Sequence, residues 1–260
     1  MRWVSKTLVA LMVLVLIATR AAETGRASRN PAPAGESAHE TTTTNRPLVV
    51  IDPGHGGANL GAPSVVRGVY EKSVTLELAR QVERYLTDHG VVVVLTRDRD
   101  EYLLLRQRVR KANQLGADLF VSLHCNATEK HTRRGYETFI LTPEALDVDA
   151  RAIRGREGAP RPGVDSEVSL LLDEVERGAS FPEAADFASA IQEHLRKARG
   201  PSGDRGVRQA SMHVLLGATM PAVLVEVGFI DHPEEGVELL DREVQEEIAE
   251  AIAAAIESSL

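Results

Sequence analysis

The feature that most constrains the fold is a set of short, continuous apolar runs that alternate with helical patterns. Three such runs occupy the first half of the chain: LVVI at 48–51, VVVVL at 91–95 and ADLFVSL at 117–123. Between the first two, apolar residues recur at every fourth position from Val74 to Leu86, which predicts a helix that ends at Gly90. A second helix is predicted over about 101–115. Buried strands that alternate with helices indicate a mostly parallel sheet covered on both faces.

The second half of the chain continues this pattern around one irregular segment. GYETFIL at 135–141 predicts a fourth strand, placed at an edge of the sheet. Residues 142–183 are rich in proline, glycine and charge, with a short helical candidate at 166–176. The remaining predicted elements are a helix at 183–198, strands near 212–216 and 222–227, and an amphipathic helix carrying Leu240, Val244, Ile248, Ile252 and Ile256. These elements predict an α/β fold: a single three-layer domain over 47–260, with a twisted, mostly parallel sheet of about six strands and helices on both faces.

The N-terminus, MRWVSKTLVALMVLVLIATR, has the plan of an export signal, with Arg2 and Lys6 before an apolar run from Thr7 to Ala18. We expect residues 1–22 to be a signal peptide or an N-terminal anchor, since this run is shorter than the roughly 20 residues that span a bilayer. Residues 23–46 lack apolar periodicity and predict a disordered linker. The protein is therefore expected to be exported to the periplasm, the cell envelope or the exterior, with membrane contact only through an uncleaved N-terminal segment.

Composition narrows the set of partners. The formal net charge is -8 and no long run of lysine or arginine is present, so nucleic acid is not an expected partner. The one cysteine, Cys125, cannot form an internal disulfide and is predicted to be a small, buried apolar residue. A monomer stabilised by its core is the expected state.

Polar residues interrupt the predicted strands near their carboxyl ends. His55 follows LVVI, His124 follows DLFVSL, and Glu226 lies inside AVLVEVGFI. Because the carboxyl ends of parallel strands meet at one edge, these residues can lie together, and Glu71 starts the helix after the His55 loop near the same edge. Two histidines and a carboxylate are a common ligand set for catalytic zinc, and the other carboxylate would serve as general base. The residues alone leave open which glutamate binds metal and which one catalyses.

Each of these residues also has a purely structural interpretation. His55 alone is equally well explained as a turn residue, Glu71 as an acidic residue that a helix N-terminus favours, and His124 as a core histidine with satisfied hydrogen bonds. Glu226 fits such an interpretation least well, since a carboxylate inside an apolar strand is costly to bury. The coincidence of four such residues at one sheet edge favours a functional site.

Longer motifs make the interpretation specific. Between residues 48 and 258 the chain carries, in order, VVIDPGHGG, YEKSVTLELA, VVVVLTRDRD, RVRKANQLGADLFVSLHCNA, RGYETFIL, RGVRQASMHVLL and MPAVLVEVGFIDHPEE. These segments resemble the motifs of the zinc-dependent N-acetylmuramoyl-L-alanine amidases, of the type that acts in cell separation. The resemblance implies one zinc ion per chain, held by His55, Glu71 and His124, with Glu226 as the catalytic glutamate. It also implies hydrolysis of the amide bond between N-acetylmuramic acid and L-alanine in peptidoglycan, for wall remodelling or daughter-cell separation.

The chain departs from the family's pattern in a few places. Cys125 stands where alanine is usual, and strand alternation predicts that its side chain points to the face opposite His124. Asp231 and His232 replace a commoner Ser-Asn pair, with little expected consequence. In some family members an inserted helix plugs the site until an activator protein withdraws it. Here only segment 142–182 has room for a plug, and a passive surface excursion is the preferred interpretation; the candidate plug residues are Glu144, Glu167 and Glu174.

Substrate contacts are predicted in a shallow groove, because the substrate is a polymer. Asn126, Arg205 and His213 are the predicted substrate-binding residues, with Arg134 as a further candidate for a substrate carboxylate. Two rival functions are a wall-binding module that does not cleave, against which the presence of all four site residues argues, and a zinc peptidase that cuts within the stem peptide. Only the resemblance excludes the peptidase. The other histidines are predicted to be solvated, namely His39, His89, His131, His194 and His232.

Overall fold

A six-stranded sheet organises the part of the chain that the computed structural model describes, residues 46–141 and 181–260. The strands, in chain order, are β1 (Leu48–Pro53), β2 (Val92–Leu95), β3 (Leu119–Asn126), β4 (Tyr136–Leu141), β5 (Asp204–Ala210) and β6 (Ala222–Phe229). Their order in the sheet is β2-β1-β3-β6-β4-β5. The first four strands in this order are parallel, whereas β4 runs antiparallel to β6 and carries β5 parallel to itself. The sheet is therefore mixed, with a parallel majority.

Helices cover both faces of the sheet. They are α1 (Glu71–Asp88), α2 (Leu105–Leu115), α3 (Phe181–Arg199), α4 (Glu235–Glu238) and α5 (Arg242–Glu257). Apolar residues of α1, α3 and α5 pack against one face, in a core that includes Ile51, Val121 and Val225. On the other face α2 packs in a second core that includes Phe120 and Leu224. The predicted three-layer α/β architecture is confirmed.

Alternation along the strands explains why both cores form. Val49 and Ile51 of β1 belong to the first core, while Val50 between them belongs to the second. Successive strand residues point to opposite faces, so a strand covered on both sides must be apolar without interruption. The continuous runs in the sequence are the result of this double burial.

Several predicted elements need correction. The strand at 91–95 is not fully buried, because β2 is an edge strand and its Val92 is 37% exposed. GYETFIL is not at an edge, since β5 pairs on its outer side. The strand predicted near 212–216 is a 3-10 turn, His213–Leu215, and the strand that the sequence failed to indicate is the polar β5. Helix α2 also begins at Leu105, later than the predicted 101.

Within residues 46–141 and 181–260, no helix has both the length and the apolar character needed to cross a membrane. The export signal or anchor predicted for 1–22 lies outside the described residues, as do nearly all of the predicted linker and the helical candidate at 166–176. The helix predicted at 183–198 and the final amphipathic helix are confirmed as α3 and α5.

Candidate metal centre

Four titratable residues meet at the carboxyl edge of the parallel strands. His55 follows the end of β1, and His124 on β3 is the register partner of Glu226 on β6. Glu71 is the first residue of α1, at the end of the loop that carries His55. The expectation that these residues lie at one sheet edge is confirmed.

The Glu71 carboxylate bridges the two histidines. Its Oε2 lies 2.9 Å from His55 Nε2, and its Oε1 lies 3.0 Å from His124 Nδ1. The two imidazole rings are 4.8 Å apart between centroids and meet edge to face at 75°. Donor atoms of the three residues all lie within 4.8 Å of one another. Two imidazoles and one carboxylate at this separation form a donor set that suits a single tetrahedral metal ion with an open fourth position.

Two glycines keep space around these ligands. A Cβ atom on Gly54 would lie 2.6 Å from Nε2 and 2.7 Å from Nδ1 of His124, so a side chain there would collide with the imidazole. Gly61 has a φ of +70°, and a Cβ there would lie 2.7 Å from Glu71 Oε2 and 2.8 Å from the His55 ring. The glycines of this loop are therefore needed for the close approach of backbone to the ligand side chains.

Further hydrogen bonds fix the orientation of the ligands. Nδ1 of His55 lies 2.9 Å from Asn59 Oδ1, and a proton on Nδ1 would leave Nε2 free to bind metal. The backbone N–H groups of Ala62 and Cys125 donate to the two oxygens of Glu71, each at 2.9 Å. These outer contacts hold the carboxylate between the imidazoles without any contribution from a metal.

The surroundings of Glu71 determine its charge. Burial alone raises the pKa of Glu71, but the hydrogen bonds and charges of His124 and His55 outweigh burial and hold its pKa well below the ordinary value. For His55 the effect of burial has the opposite sign and lowers the pKa of the imidazole. The hydrogen bond and charge of Glu71 outweigh burial, so the pKa of His55 is raised overall. Glu71 is thus held as a carboxylate, which is the form that binds metal.

Glu226 stays outside the hydrogen-bond network that holds Glu71 and the two histidines. Its Oε2 atom is buried and has no hydrogen-bond partner among the described residues. Burial, followed by the charges of Glu71 and Glu137, raises the pKa of Glu226 well above the ordinary value. A buried carboxyl oxygen without a partner costs the fold free energy, so a structural role does not explain it. A perturbed, unpartnered carboxyl group beside a metal-type donor set is suited to proton transfer.

Glu137 is a site residue that sequence reasoning missed. It faces Glu226 across the antiparallel pair of β4 and β6 and is buried. Its carboxylate accepts hydrogen bonds from Asn126 Nδ2 at 2.7 Å and Arg205 Nε at 3.1 Å, and it forms an ion pair with Arg208, whose Nε lies 2.6 Å away. The structure therefore brings Asn126 and Arg205, two predicted substrate residues, together beside Glu226. The signal for Glu137 was present, since it is a charged residue inside the apolar run GYETFIL.

The third predicted substrate residue lies elsewhere on the same side of the sheet. His213 is exposed at the start of the turn His213–Leu215, whose Val214 and Leu215 pack in the core shared with α2. Arg205 contacts two residues near Glu226. Besides its bond to Glu137, its guanidinium lies over the ring of Phe229, 5.2 Å from the centroid. A substrate role for His213 stays a prediction.

Of the three positions that depart from the family pattern, Cys125 and Asp231 are buried and His232 is partly exposed. Cys125 packs in the core of α1, α3 and α5. Its side chain lies on the face of β3 opposite the side chains of Phe120 and His124, as strand alternation predicts. Asp231 was expected to have little consequence, yet it accepts hydrogen bonds from the Thr128 backbone and from His131 Nδ1, both at 2.8 Å. Asp231 therefore holds the loop that follows the metal-ligand strand β3.

Together, the sheet edge, the histidine-glutamate-histidine set and the unpartnered glutamate define a class: an α/β protein with a candidate mononuclear metal centre of the hydrolase type. The family follows from comparison with known proteins. Residues 49–258 match the family model of N-acetylmuramoyl-L-alanine amidase, and the chain belongs to this family.

Individual relatives agree with that assignment. N-acetylmuramoyl-L-alanine amidase AmiA of Escherichia coli K12 is 33% identical over 215 residues, which cover 79% of this chain and 73% of AmiA. The catalytic domain of the amidase CwlV from Bacillus (Paenibacillus) polymyxa is 32% identical, with a TM-score of 0.62, and the match covers 82% of this chain and 97% of that domain. Amidase AmiC2 of Nostoc punctiforme is 30% identical, with a TM-score of 0.63 and coverage of 82% and 96%. The chain spans about half the length of the AmiC relatives of Neisseria meningitidis and Escherichia coli, 52% and 53%.

Proposed function

We propose that this protein is a zinc-dependent amidase that hydrolyses the bond between N-acetylmuramic acid and L-alanine in peptidoglycan. The observation that carries the proposal is the pairing of a histidine-glutamate-histidine donor set with Glu226 on the neighbouring strand, whose buried Oε2 has no partner among the described residues. Membership of the N-acetylmuramoyl-L-alanine amidase family supports the choice of bond.

The donor set fits one zinc ion per chain. His55, Glu71 and His124 would hold it, because neutral imidazole and carboxylate are ordinary zinc ligands and three of them leave one position open. A bound zinc ion supplies Lewis-acid activation of the scissile carbonyl and of the attacking water. The protein's own contribution is to keep Glu71 ionised and both imidazoles oriented before any metal arrives.

Glu226 would act as the general base and then the general acid. Its carboxylate takes a proton from the attacking water, and the resulting carboxylic acid gives that proton to the departing amino group of L-alanine. Its surroundings support this role, because Glu226 is only partly buried and its Oε2 is not committed to a hydrogen bond with any described residue.

Substrate binding is proposed for the residues around Glu137 and for His213. Asn126 and Arg205 lie beside Glu226 through their shared bonds to Glu137, so a stem peptide or glycan strand that reaches Glu226 passes close to them. The protein would act as a monomer on peptidoglycan outside the cytoplasm, in wall remodelling or daughter-cell separation. Regulation by an activator protein remains part of the proposal. For segment 142–182 a passive surface excursion stays the preferred interpretation, and nearly all of that segment lies outside the described residues.

The test is digestion of purified peptidoglycan by the full 260-residue chain. Mass spectrometry should show intact stem peptides freed from glycan, and a zinc chelator or Glu226→Ala should abolish their release. Glu247→Ala, which changes an exposed glutamate of α5, is the matched control and should digest the wall like the unaltered chain. Fragments cut inside the stem peptide would favour the peptidase alternative. Binding to the wall without any cleavage would favour the wall-binding alternative.

A further inference from the structure

Two buried guanidinium groups lie beneath the loop that carries His55. Arg97 and Arg108 are only 1% and 2% exposed, and they are among the largest fully buried side chains of the described residues. Buried arginines are rare unless their charge and donors are satisfied. The acceptors of their hydrogen bonds therefore indicate what the two arginines do.

Most of the donors converge on three consecutive backbone carbonyls. Arg97 donates to the carbonyls of Pro53 at 3.0 Å and Gly54 at 2.7 Å, and Arg108 donates to those of Pro53 at 2.7 Å and His55 at 2.6 Å. Arg97 also reaches the carbonyl of Lys72, in the first turn of α1. The loop before His55 and the start of the helix that carries Glu71 are thus held by one side chain.

The backbone at His55 needs such support. Its φ is +62°, a left-handed conformation that a residue with a side chain rarely adopts. With the carbonyls of residues 53–55 turned inward onto the guanidinium groups, the imidazole of His55 is directed at Glu71, 2.9 Å away. Nothing in the ring's own contacts, to Asn59 and Glu71, fixes the loop backbone in this way.

Asp52 of β1 balances the charge of Arg108. Nη1 of Arg108 donates both to Asp52 Oδ1 and to the carbonyl of Pro53, each at 2.7 Å, and Asp52 also accepts from Ser122. Because asparagine keeps an acceptor oxygen, Asp52→Asn removes the charge of this pair while Arg108 retains its contacts to the loop.

We propose that Arg97 and Arg108 are positioning residues for the metal centre, which set metal affinity by holding the backbone of the His55 loop. The inference rests on the proposed function, since it assumes that His55 binds zinc. It adds to that function two residues that touch neither the metal ligand side chains nor a substrate. Their hydrogen bonds to the His55 loop are made to backbone carbonyl groups.

The test measures metal affinity and stability in parallel on the full-length protein. Zn²⁺ affinity is measured by competition with a chromophoric chelator, the geometry by the visible absorption of Co²⁺, and the free energy of unfolding by denaturant titration of the metal-free protein. Asp52→Asn is the parent, because it removes the buried charge while an amide still accepts a bond from Arg108. Asp52→Asn/Arg108→Met then removes the loop contacts without leaving an unpaired carboxylate.

Lys111→Met is the matched structural control. Lys111 lies one turn beyond Arg108 on α2 and donates to the carbonyls of Leu95 and Thr96, at the end of β2 instead of the His55 loop. We expect Lys111→Met and Asp52→Asn to keep the Zn²⁺ affinity and the Co²⁺ spectrum. The double variant should lose affinity roughly tenfold to a hundredfold, with an altered spectrum, as removal of other outer contacts to metal ligands does.

Arg97→Met tests the same inference independently of Asp52 and should lose Zn²⁺ affinity in the same range. It keeps the inference testable even if the double variant does not fold. Unchanged Zn²⁺ affinity in either arginine variant that folds would overturn this inference and leave the proposed function intact. The same conclusion would follow if Zn²⁺ affinity fell only in proportion to the free energy of unfolding and Lys111→Met showed the same proportion. A failure of the unaltered protein to bind Zn²⁺ would overturn both.

Discussion

Strands β1, β3 and β6 are buried along almost their whole length, whereas β5, in the same sheet, is exposed at most of its positions. The inner strands are parallel and lie between two helical layers. Their polar residues include His124 and Glu226 of the candidate site, and also Asp52 and Ser122, which hydrogen-bond to each other inside the sheet. In the outer pair, β4 and β5, polar residues serve a support role, since the arginines of β5 hold the buried Glu137. The inner strands thus supply the candidate reacting group Glu226, whereas the outer pair supports the residues around it.

Glu226→Gln is the strongest test of the contrast between the inner strands and the outer pair. Glutamine keeps the shape of the side chain but cannot accept and return a proton, so hydrolysis of a soluble muropeptide should fall by about 10² to 10⁴-fold. The free energy of unfolding should stay the same or rise, because glutamine removes a charge that faces the like charges of Glu71 and Glu137 and whose buried Oε2 has no partner among the described residues. A variant with near-normal turnover would show that this residue of the inner strands is not catalytic.

Core truncation separates the two regions by their packing. Phe120→Ala in β3 removes a fully buried side chain and should lower the free energy of unfolding by about 3–5 kcal/mol. Val207→Ala in β5, where the side chain is 38% exposed, should cost no more than about 0.5 kcal/mol. Denaturant titrations of the two variants measure both values. Similar losses would mean that the edge strand contributes to the core as much as the inner strands do.

Glu137→Gln examines the support role of the outer pair. One acceptor oxygen and the charge that faces Arg205 and Arg208 are lost, so we expect a decrease in stability of about 1–3 kcal/mol. Turnover should fall far less than in Glu226→Gln, since the altered residue holds other side chains and does not transfer a proton. Glu247→Gln on the surface of α5 is the control and should change neither quantity. A loss of turnover as large as that of Glu226→Gln would place Glu137 in the chemistry itself.

Two glycines give the smallest contrast. Gly54→Ala places a methyl group against the imidazole of His124 and should weaken Zn²⁺ binding by roughly tenfold to a hundredfold, in the range of other disturbed ligand surroundings. Gly206→Ala in β5 meets open space but has a φ of +78°, so it should cost about 1 kcal/mol of stability and leave Zn²⁺ affinity unchanged. Calorimetry with Zn²⁺ distinguishes the two, and equal affinities would contradict the crowding inferred around His124.

The same contrast explains which elements the sequence could predict. Double burial makes β1, β3 and β6 continuously apolar, so their positions follow from the pattern. The strand β5 has the sequence DRGVRQA, whose pattern indicates no strand, because its pairing depends on β4 and on side-chain contacts distant in sequence. The apolar pattern near 212–216 predicts a strand, yet a 3-10 turn over His213–Leu215 that packs on α2 buries the apolar side chains equally well. Burial alone does not distinguish these two conformations.

The site was predictable to a similar degree. His55, His124 and Glu226 stand out as polar residues at the ends of apolar strands, and parallel topology places them at one edge. The residues alone leave open whether Glu71 or Glu226 is the ligand; the resemblance implies Glu71, and the position of Glu71 between both imidazoles agrees with it. Arg97 and Arg108 gave no signal, because an arginine in a polar stretch is ordinarily a surface residue. Their burial depends on the folded path of the His55 loop.

The spacing of the histidine-glutamate-histidine set also links metal supply to the lifetime of the folded chain. The three residues are far apart along the sequence, at positions 55, 71 and 124, and they converge only after β1, α1 and β3 have assembled. An unfolded chain offers no comparable site, so a zinc ion that binds the native state shifts the folding equilibrium, by about 2.7 kcal/mol when free metal exceeds its dissociation constant a hundredfold. Where zinc is scarce, the protein would lose persistence against proteolysis together with activity.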